Sequence, residues 1–112
     1  TYGKVYYELN KYRIENKRND VSIIRIEQFY PFPENELINI INSYTNAGMI
    51  RFVQEEPENM GALNYMKIRI SKLPDFKPVI KYYSRAESSS PAPGSYKVFE
   101  DTQKELISEV FK

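Results

Sequence analysis

Three short apolar runs, VSIIRI (21–26), MIRFVQ (49–54) and VIKYYS (79–84), alternate along the chain with segments whose apolar residues recur at helical spacing. No other feature constrains the fold as strongly. Strands that are apolar throughout are buried on both faces, and strands alternating with helices specify a parallel sheet with crossover helices.

The helical segments read as follows. Residues 3–17 place Val5, Leu9 and Tyr12 on one face, with Tyr6 beside them. Asn19-Asp20 then marks a turn, and 28–33 is an aromatic, proline-punctuated loop. Pro33 suits the first turn of a second helix, where Glu34 and Glu36 meet its positive end. Leu37, Ile38, Ile40, Ile41 and Tyr44 give that helix a broad apolar face, and Gly48 reads as a left-handed cap. A third helix is expected over 59–73, with Leu63, Met66, Ile70 and Leu73 inward and Pro74-Asp75 as its breaker. After a small, polar, proline-rich loop at 84–95, a last helix covers 96–111, with Phe99, Gln103, Leu106, Ile107 and Val110 along one side. The order is α-β-α-β-α-β-α, in one domain spanning 1–112. Thr1-Tyr2-Gly3 reads as the tail of a strand turning into a helix. The chain is therefore expected to be a fragment of a longer polypeptide, lacking its first main strand.

Composition removes whole classes of chemistry. The chain has no cysteine and no histidine. This excludes a disulfide framework, a Cys/His zinc site, a cysteine nucleophile and every histidine-based triad. A net charge of +1, from 16 basic and 15 acidic residues, leaves no electrostatic footprint for nucleic acid or an anionic membrane. No apolar run is long enough to span a bilayer. Ten tyrosines and six phenylalanines point to amphipathic contacts, buried or at an interface.

Four places carry candidate function. Glu55 and Glu56 adjoin a strand end, where α/β folds place ligands. Neighbours on an extended chain point to opposite faces, so they make no facing dyad; a strand-end turn and helix-cap role is favoured. In the loop RAESSSPAPGS, Arg85 with Ser88 and Ser90 offers donors to an anion, and Lys4 stands at a helix start; a plain loop and a solvent-facing lysine are the bland alternatives. Neither GxxxxGK[ST] nor GxGxxG occurs. Phe29, Tyr30 and Phe32 either form a contact surface or cap the local core. Residues alone therefore give a small α/β domain with no self-contained catalytic constellation.

The stretches RIEQFYPFP (25–33), QEEPENMGA (54–62), RAESSSPAPGSYKV (85–98) and GKVYYEL (3–9) closely resemble the C-terminal domain of 2-oxoglutarate dehydrogenase E1 components, across essentially the whole chain. The chain departs from that pattern at Leu63, where the family commonly has Trp, at Phe99, where it has His, and at Pro93, where it has a smaller residue. The resemblance implies a three-layer α/β/α, transketolase C-terminal-domain-like fold with a mainly parallel sheet. It implies a parent enzyme that uses thiamine diphosphate and Mg²⁺, held by other domains, to decarboxylate 2-oxoglutarate in the citric acid cycle. The implied partners are the remainder of the E1 polypeptide, a second E1 copy, and the lipoyl-bearing E2 and the E3 of the complex, with no nucleic acid and no membrane. The implied location is the mitochondrial matrix or the bacterial cytoplasm. On this reading the fragment binds no cofactor and has no catalytic residue of its own. Phe29, Tyr30, Phe32, Glu55, Glu56 and Asn59 are the expected interdomain or dimer contacts. The alternatives are an E1 of the related 2-oxoadipate dehydrogenase, or a free-standing α/β module that binds a phosphate-bearing effector through Lys4, Arg85, Ser88 and Ser90. A small independent hydrolase is weakened by the lack of His and Cys.

Overall fold

The computed structural model describes residues 1–74, 76–90 and 94–112. Asp75 of the expected helix breaker, and Pro93 with the centre of the 84–95 loop, lie outside the described residues.

Among the described residues the fold is α/β, with four helices and two strands: α1 (Val5–Glu15), α2 (Glu34–Ser43), β1 (Ile50–Pro57), α3 (Leu63–Ser71), β2 (Ile80–Arg85) and α4 (Tyr96–Val110). The strands pair in parallel, with Ile50 opposite Ile80 and Val53 opposite Tyr83. The register then shifts, so that Pro57 faces Arg85. Residues 54–56 are a bulge on β1, and that bulge aims the side chains described below.

Alternation along the strands separates two cores. Val53 and Tyr83 pack with Val5 and Leu9 of α1 and with Leu106, Ile107, Val110 and Phe111 at the end of α4. Phe52, with Ile80 and Tyr82, packs instead with Leu37 of α2 and Leu63 and Met66 of α3. Helices therefore cover both faces of the strand pair. The carboxyl end of α4 is further held by two guanidiniums. Arg18 donates to the carbonyl of Phe111 at 2.7 Å and lies over its ring, and Arg51 donates to the carbonyl of Val110. Cations at a helix carboxyl terminus meet its negative end and its last carbonyls.

Several expectations change. Residues 21–26 are not a ladder strand, so the sheet has two strands among the described residues rather than the three expected. The segment runs beside Thr1 instead. The Thr1 amine donates to the Ile24 carbonyl at 3.1 Å, and the Ile26 N–H donates to the Thr1 carbonyl at 2.8 Å. Thr1 Oγ1 in turn donates to the Val53 carbonyl at 2.9 Å. Thr1 thus stands between residues 21–26 and β1 and keeps them from pairing directly.

Helix α1 ends before residue 17 because Lys17 takes a left-handed φ of 51°. The N–H groups of Lys17 and Arg18 return to the carbonyls of Ile14 and Arg13, which closes the helix by a Schellman motif. Gly48 is not a left-handed cap: α2 already stops at Tyr44, four residues earlier, and Gly48 has no positive φ. β1 runs three residues past the expected 54, and α3 starts at Leu63 rather than near 59.

These packings order two substitutions. Leu9→Ala empties a fully buried site in the α1–α4 core and is expected to cost about 2–5 kcal/mol. Ile14→Ala, on the exposed face of the same helix, is expected to stay within about 0.5 kcal/mol. Urea unfolding of the two variants checks the assignment, and equal losses would contradict it.

Candidate functional site

A polar cluster forms where β1 ends and α3 begins. Ala62, just before α3, provides no side-chain cap, so the first N–H groups of the helix need partners from elsewhere. The bulge supplies them. Gln54, fully buried, accepts from the Leu63 N–H at 2.8 Å through Oε1. Its Nε2 donates to the carbonyls of Pro57 at 3.0 Å and Met60 at 2.8 Å. The Tyr2 hydroxyl accepts from the Ala62 N–H at 3.0 Å and donates to the Glu56 carboxylate. Burial, then the Glu56 bond, raises the pKa of the phenol, so it stays a donor.

Gly61 completes the knot. It sits at φ +68°, and a Cβ there would lie 2.5 Å from both Glu56 Oε2 and the Tyr2 hydroxyl. Only glycine meets both the left-handed backbone and the close approach.

Glu55 and Glu56 therefore do diverge, as strand geometry requires. Glu56 turns to Tyr2, and Glu55 turns to Lys4 Nζ at 3.5 Å. Neither caps α3; that expectation is corrected, because Gln54 and Tyr2 do so. The signal for Gln54 is its place as the uncharged polar residue that closes the apolar run 49–54. A fully buried amide must find donors and acceptors.

The expected anion group comes together only in part. Arg85 and Lys4 approach the same ring, that of Phe99, at 4.4 Å and 5.9 Å from its centroid. Arg85 is turned inward. It donates to the Phe99 carbonyl at 3.2 Å and to the side chains of Thr102 and Gln103, which ties the end of β2 to α4. No carboxylate lies within ion-pair distance of Arg85 among the described residues. Its Nε is buried without a hydrogen-bond partner, and the guanidinium lies over the face of Phe99. Burial lowers the pKa of the guanidinium, opposed by the charges of Glu55 and Glu8. Ser88 belongs to another contact. Asn59 Nδ2 donates to the Ser88 carbonyl at 2.9 Å, and the Ser88 N–H donates to Asn59 Oδ1 at 3.1 Å. The Ser90 N–H donates to Ser88 Oγ at 3.2 Å.

Of the three loop aromatics, two turn inward. Phe29 and Phe32 pack against the α2–α3 core, and Phe29 meets Tyr2 edge-to-face at 5.1 Å. Tyr65 stands against both rings and donates to the Phe29 carbonyl at 3.2 Å. Tyr30 alone points outward, 87% exposed.

The chemistry available is positional rather than reactive. Among the described residues no three His, Cys, Asp or Glu side chains gather to hold a metal. The acidic groups of the cluster are engaged by Lys4 and Tyr2, and none of them faces the other as an acid–base pair. No helix of the described residues is long and apolar enough to cross a membrane.

The profile of the 2-oxoglutarate dehydrogenase C-terminal family matches residues 1–111. Over 110 residues, 98% of the chain, it is 37% identical to a "2-oxoglutarate dehydrogenase E1/E2 component" of Corynebacterium glutamicum. It is 39% identical over 110 residues, 96% of the chain, to a "2-oxoglutarate dehydrogenase E1 component" of Rickettsia typhi. A "Multifunctional 2-oxoglutarate metabolism enzyme" of Mycobacterium sp. strain JLS is 40% identical over 112 residues, 99% of the chain. The chain spans 9%, 12% and 9% of these three relatives respectively.

The knot yields two expected outcomes. Gly61→Ala is expected to destabilise the domain by more than about 1 kcal/mol, from backbone strain and the steric conflict with Glu56 and Tyr2. Gln54→Leu keeps the bulk but strips partners from Leu63, Pro57 and Met60, at about 1–3 kcal/mol for each group left unpaired. Thermal unfolding of both variants checks this, and a neutral Gln54→Leu would show that the amide is not what joins β1 to α3.

Proposed function

The chain belongs to the 2-oxoglutarate dehydrogenase C-terminal family, and on that premise we propose that it is the C-terminal structural and assembly domain of an E1 component whose whole polypeptide decarboxylates 2-oxoglutarate. The observation that carries this reading is the share of each chain matched: nearly all of this one, and 9–12% of relatives named for that reaction. The reading extends to a parent enzyme that works as a homodimer and passes its succinyl group to the lipoyl-bearing E2, with E3 beside it, in a bacterial cytoplasm or a mitochondrial matrix.

The finer fold proposed is the three-layer, transketolase C-terminal-like sandwich. The two cores on opposite faces of the strand pair support it, one under α1 and α4 and one under α2 and α3.

Thiamine diphosphate supplies the electron sink that decarboxylation of a 2-oxo acid needs. The residues of this chain do not fit a site for it or its Mg²⁺: the described carboxylates do not cluster, and the sequence lacks both standard phosphate loops. On this reading the cofactor and the metal are held by other parts of the polypeptide. What this chain contributes is a rigid edge. Gln54, Tyr2 and Gly61 lock the turn after β1, Arg85 locks the end of β2 to α4, and Tyr30 stands outward for contact with the rest of the enzyme.

The test is turnover. The intact polypeptide, with thiamine diphosphate and Mg²⁺, is expected to reduce an artificial electron acceptor in the presence of 2-oxoglutarate. Its kcat/KM for 2-oxoadipate is expected to be lower. An intact polypeptide without 2-oxo-acid decarboxylase activity would overturn the reading, and so would full activity from the 112-residue chain alone. A preference for 2-oxoadipate would shift it to the related dehydrogenase.

A further inference from the structure

The outer edge of β2 is open. Among the described residues the ladder consists of β1 and β2 alone, so one side of β2 has no neighbouring strand. The Val79 carbonyl accepts from the Ile50 N–H at 3.4 Å, and the Arg85 carbonyl accepts from the Glu58 N–H at 2.9 Å. Residues 79, 81, 83 and 85 therefore turn their backbone groups to β1. By alternation Ile80, Tyr82 and Ser84 turn theirs to the other side. An edge of this kind is a template for a further strand.

A groove of about 730 Å³ follows this edge. Leu63 and Lys67 of α3 form one wall, Thr102, Glu105 and Glu109 of α4 form the other, and the second half of β2 is the floor. The two helices lie on opposite faces of the strand pair, so a groove that touches both runs around its edge. Helix α4 runs antiparallel to β2. Arg85, at the end of β2, donates to the Phe99 carbonyl near the start of the helix, whereas Arg51, opposite Lys81, donates to the Val110 carbonyl at its end. Glu105 and Glu109 are therefore spaced along the edge, about 6 Å apart on the helix axis. Alternate residues of a strand share a face and are roughly 6.7 Å apart, a close match. Glu105 makes no ion pair among the described residues, and Glu109 meets the exposed Lys112 at 3.2 Å. The α3 wall has the opposite character. Leu63 is almost wholly buried, and Lys67 Nζ lies over the Tyr82 ring at 5.1 Å from its centroid.

We propose that this groove takes an extended segment of a separate polypeptide as an added strand, and that the segment carries two basic side chains at alternate positions with an apolar residue between them. The basic pair meets Glu105 and Glu109, and the residue between them meets the wall of Leu63 and Tyr82. Main-chain bonds to Tyr82 and Ser84 supply affinity, and the charges decide which segment enters. A second copy of this chain is a poor occupant. A twofold axis that pairs β2 with its counterpart keeps each face of the sheet continuous, so α4 comes against α4 and α3 against α3. Glu105 and Glu109 then face their own counterparts and Lys67 faces Lys67, and like charges so placed oppose association. The exposed Lys81 adds a charge of the kind that guards an edge against its own copies.

Peptide binding to the intact polypeptide tests the proposal, read by fluorescence anisotropy and by hydrogen exchange at single amides. The probe is a fluorescein-labelled peptide with the core Val-Lys-Val-Lys-Val. It is expected to bind saturably and to slow exchange of the Tyr82 and Ser84 amides about tenfold or more. The same peptide with glutamate in place of lysine is expected to bind at least about fivefold more weakly, and the double variant Glu105→Gln, Glu109→Gln to weaken the lysine peptide to a similar extent. N-methylating one alternate set of peptide residues is expected to weaken binding about tenfold, and N-methylating the other set to change it little, because only one set faces β2. This last comparison uses the unaltered protein, so it stands should a variant fail to fold. No saturable binding overturns the proposal. Binding indifferent to the two glutamates, or to which set is N-methylated, overturns it as well. Tyr82 and Ser84 amides already protected before peptide is added mean that another part of the polypeptide or a second copy covers the edge, which overturns the assigned partner. None of these readouts depends on turnover of 2-oxoglutarate, so they stand or fall separately from the activity.

Discussion

The side chain of Gln54 is the constraint on which the rest of this structure depends. A buried amide with no partner costs as much as several apolar contacts contribute. Here Gln54 joins three backbone segments at once: the end of β1 at Pro57, the turn at Met60 and the first turn of α3 at Leu63. The position of α3 sets the α2–α3 core through Leu63 and Met66. That core in turn holds the Phe29 and Phe32 loop and, through Tyr2, the start of the chain. A polar side chain thus organises an apolar core, because its hydrogen bonds have direction and dispersion contacts do not.

Much of the fold was legible in the sequence. Helices α1, α2 and α4 followed from apolar spacing, and β1 and β2 from short apolar runs, because burial on one face or on two leaves a periodic trace. Residues 21–26 carried the same trace and yet form no ladder. Periodicity reports burial, and these residues are indeed packed against the cores, but a ladder also needs a neighbouring edge, and Thr1 occupies the place beside them. The Schellman end of α1 was hidden because Lys17 is neither Gly nor Asn, the residues that announce a left-handed backbone. The caps of α3 were hidden for another reason. They come from Gln54 and Tyr2, distant in sequence from Ala62, whereas capping signals are local.

The candidate site was legible in its residues and not in its pairings. The serine-rich surroundings of Arg85 favour a plain structural loop, with an anion contact as the alternative. In the structure its donors go to α4, and its flat face lies on Phe99. Composition cannot tell an outward guanidinium from one that clamps a helix, since both need a polar neighbourhood. Phe99 stands where the resembled family commonly has His, and here its ring lies under the Arg85 guanidinium. Leu63, at the position where that family commonly has Trp, is almost wholly buried, so the smaller residue is absorbed by packing.

The paired carboxylates show how position decides between chemistry and support. A carboxylate serves as general acid or base when it faces a reacting group and is free to change its proton. Glu56 accepts from a phenol whose own pKa is raised, and Glu55 lies beside the Lys4 ammonium, so each carboxylate already has a partner within the fold. Both partners lie near the start of the chain, at Tyr2 and Lys4, while the carboxylates lie on β1. The two acids therefore fasten Tyr2 and Lys4 to the carboxyl end of β1. In an open α/β sheet that end faces the ligand crevice. Two charges placed there serve to fix backbone, as their partners show.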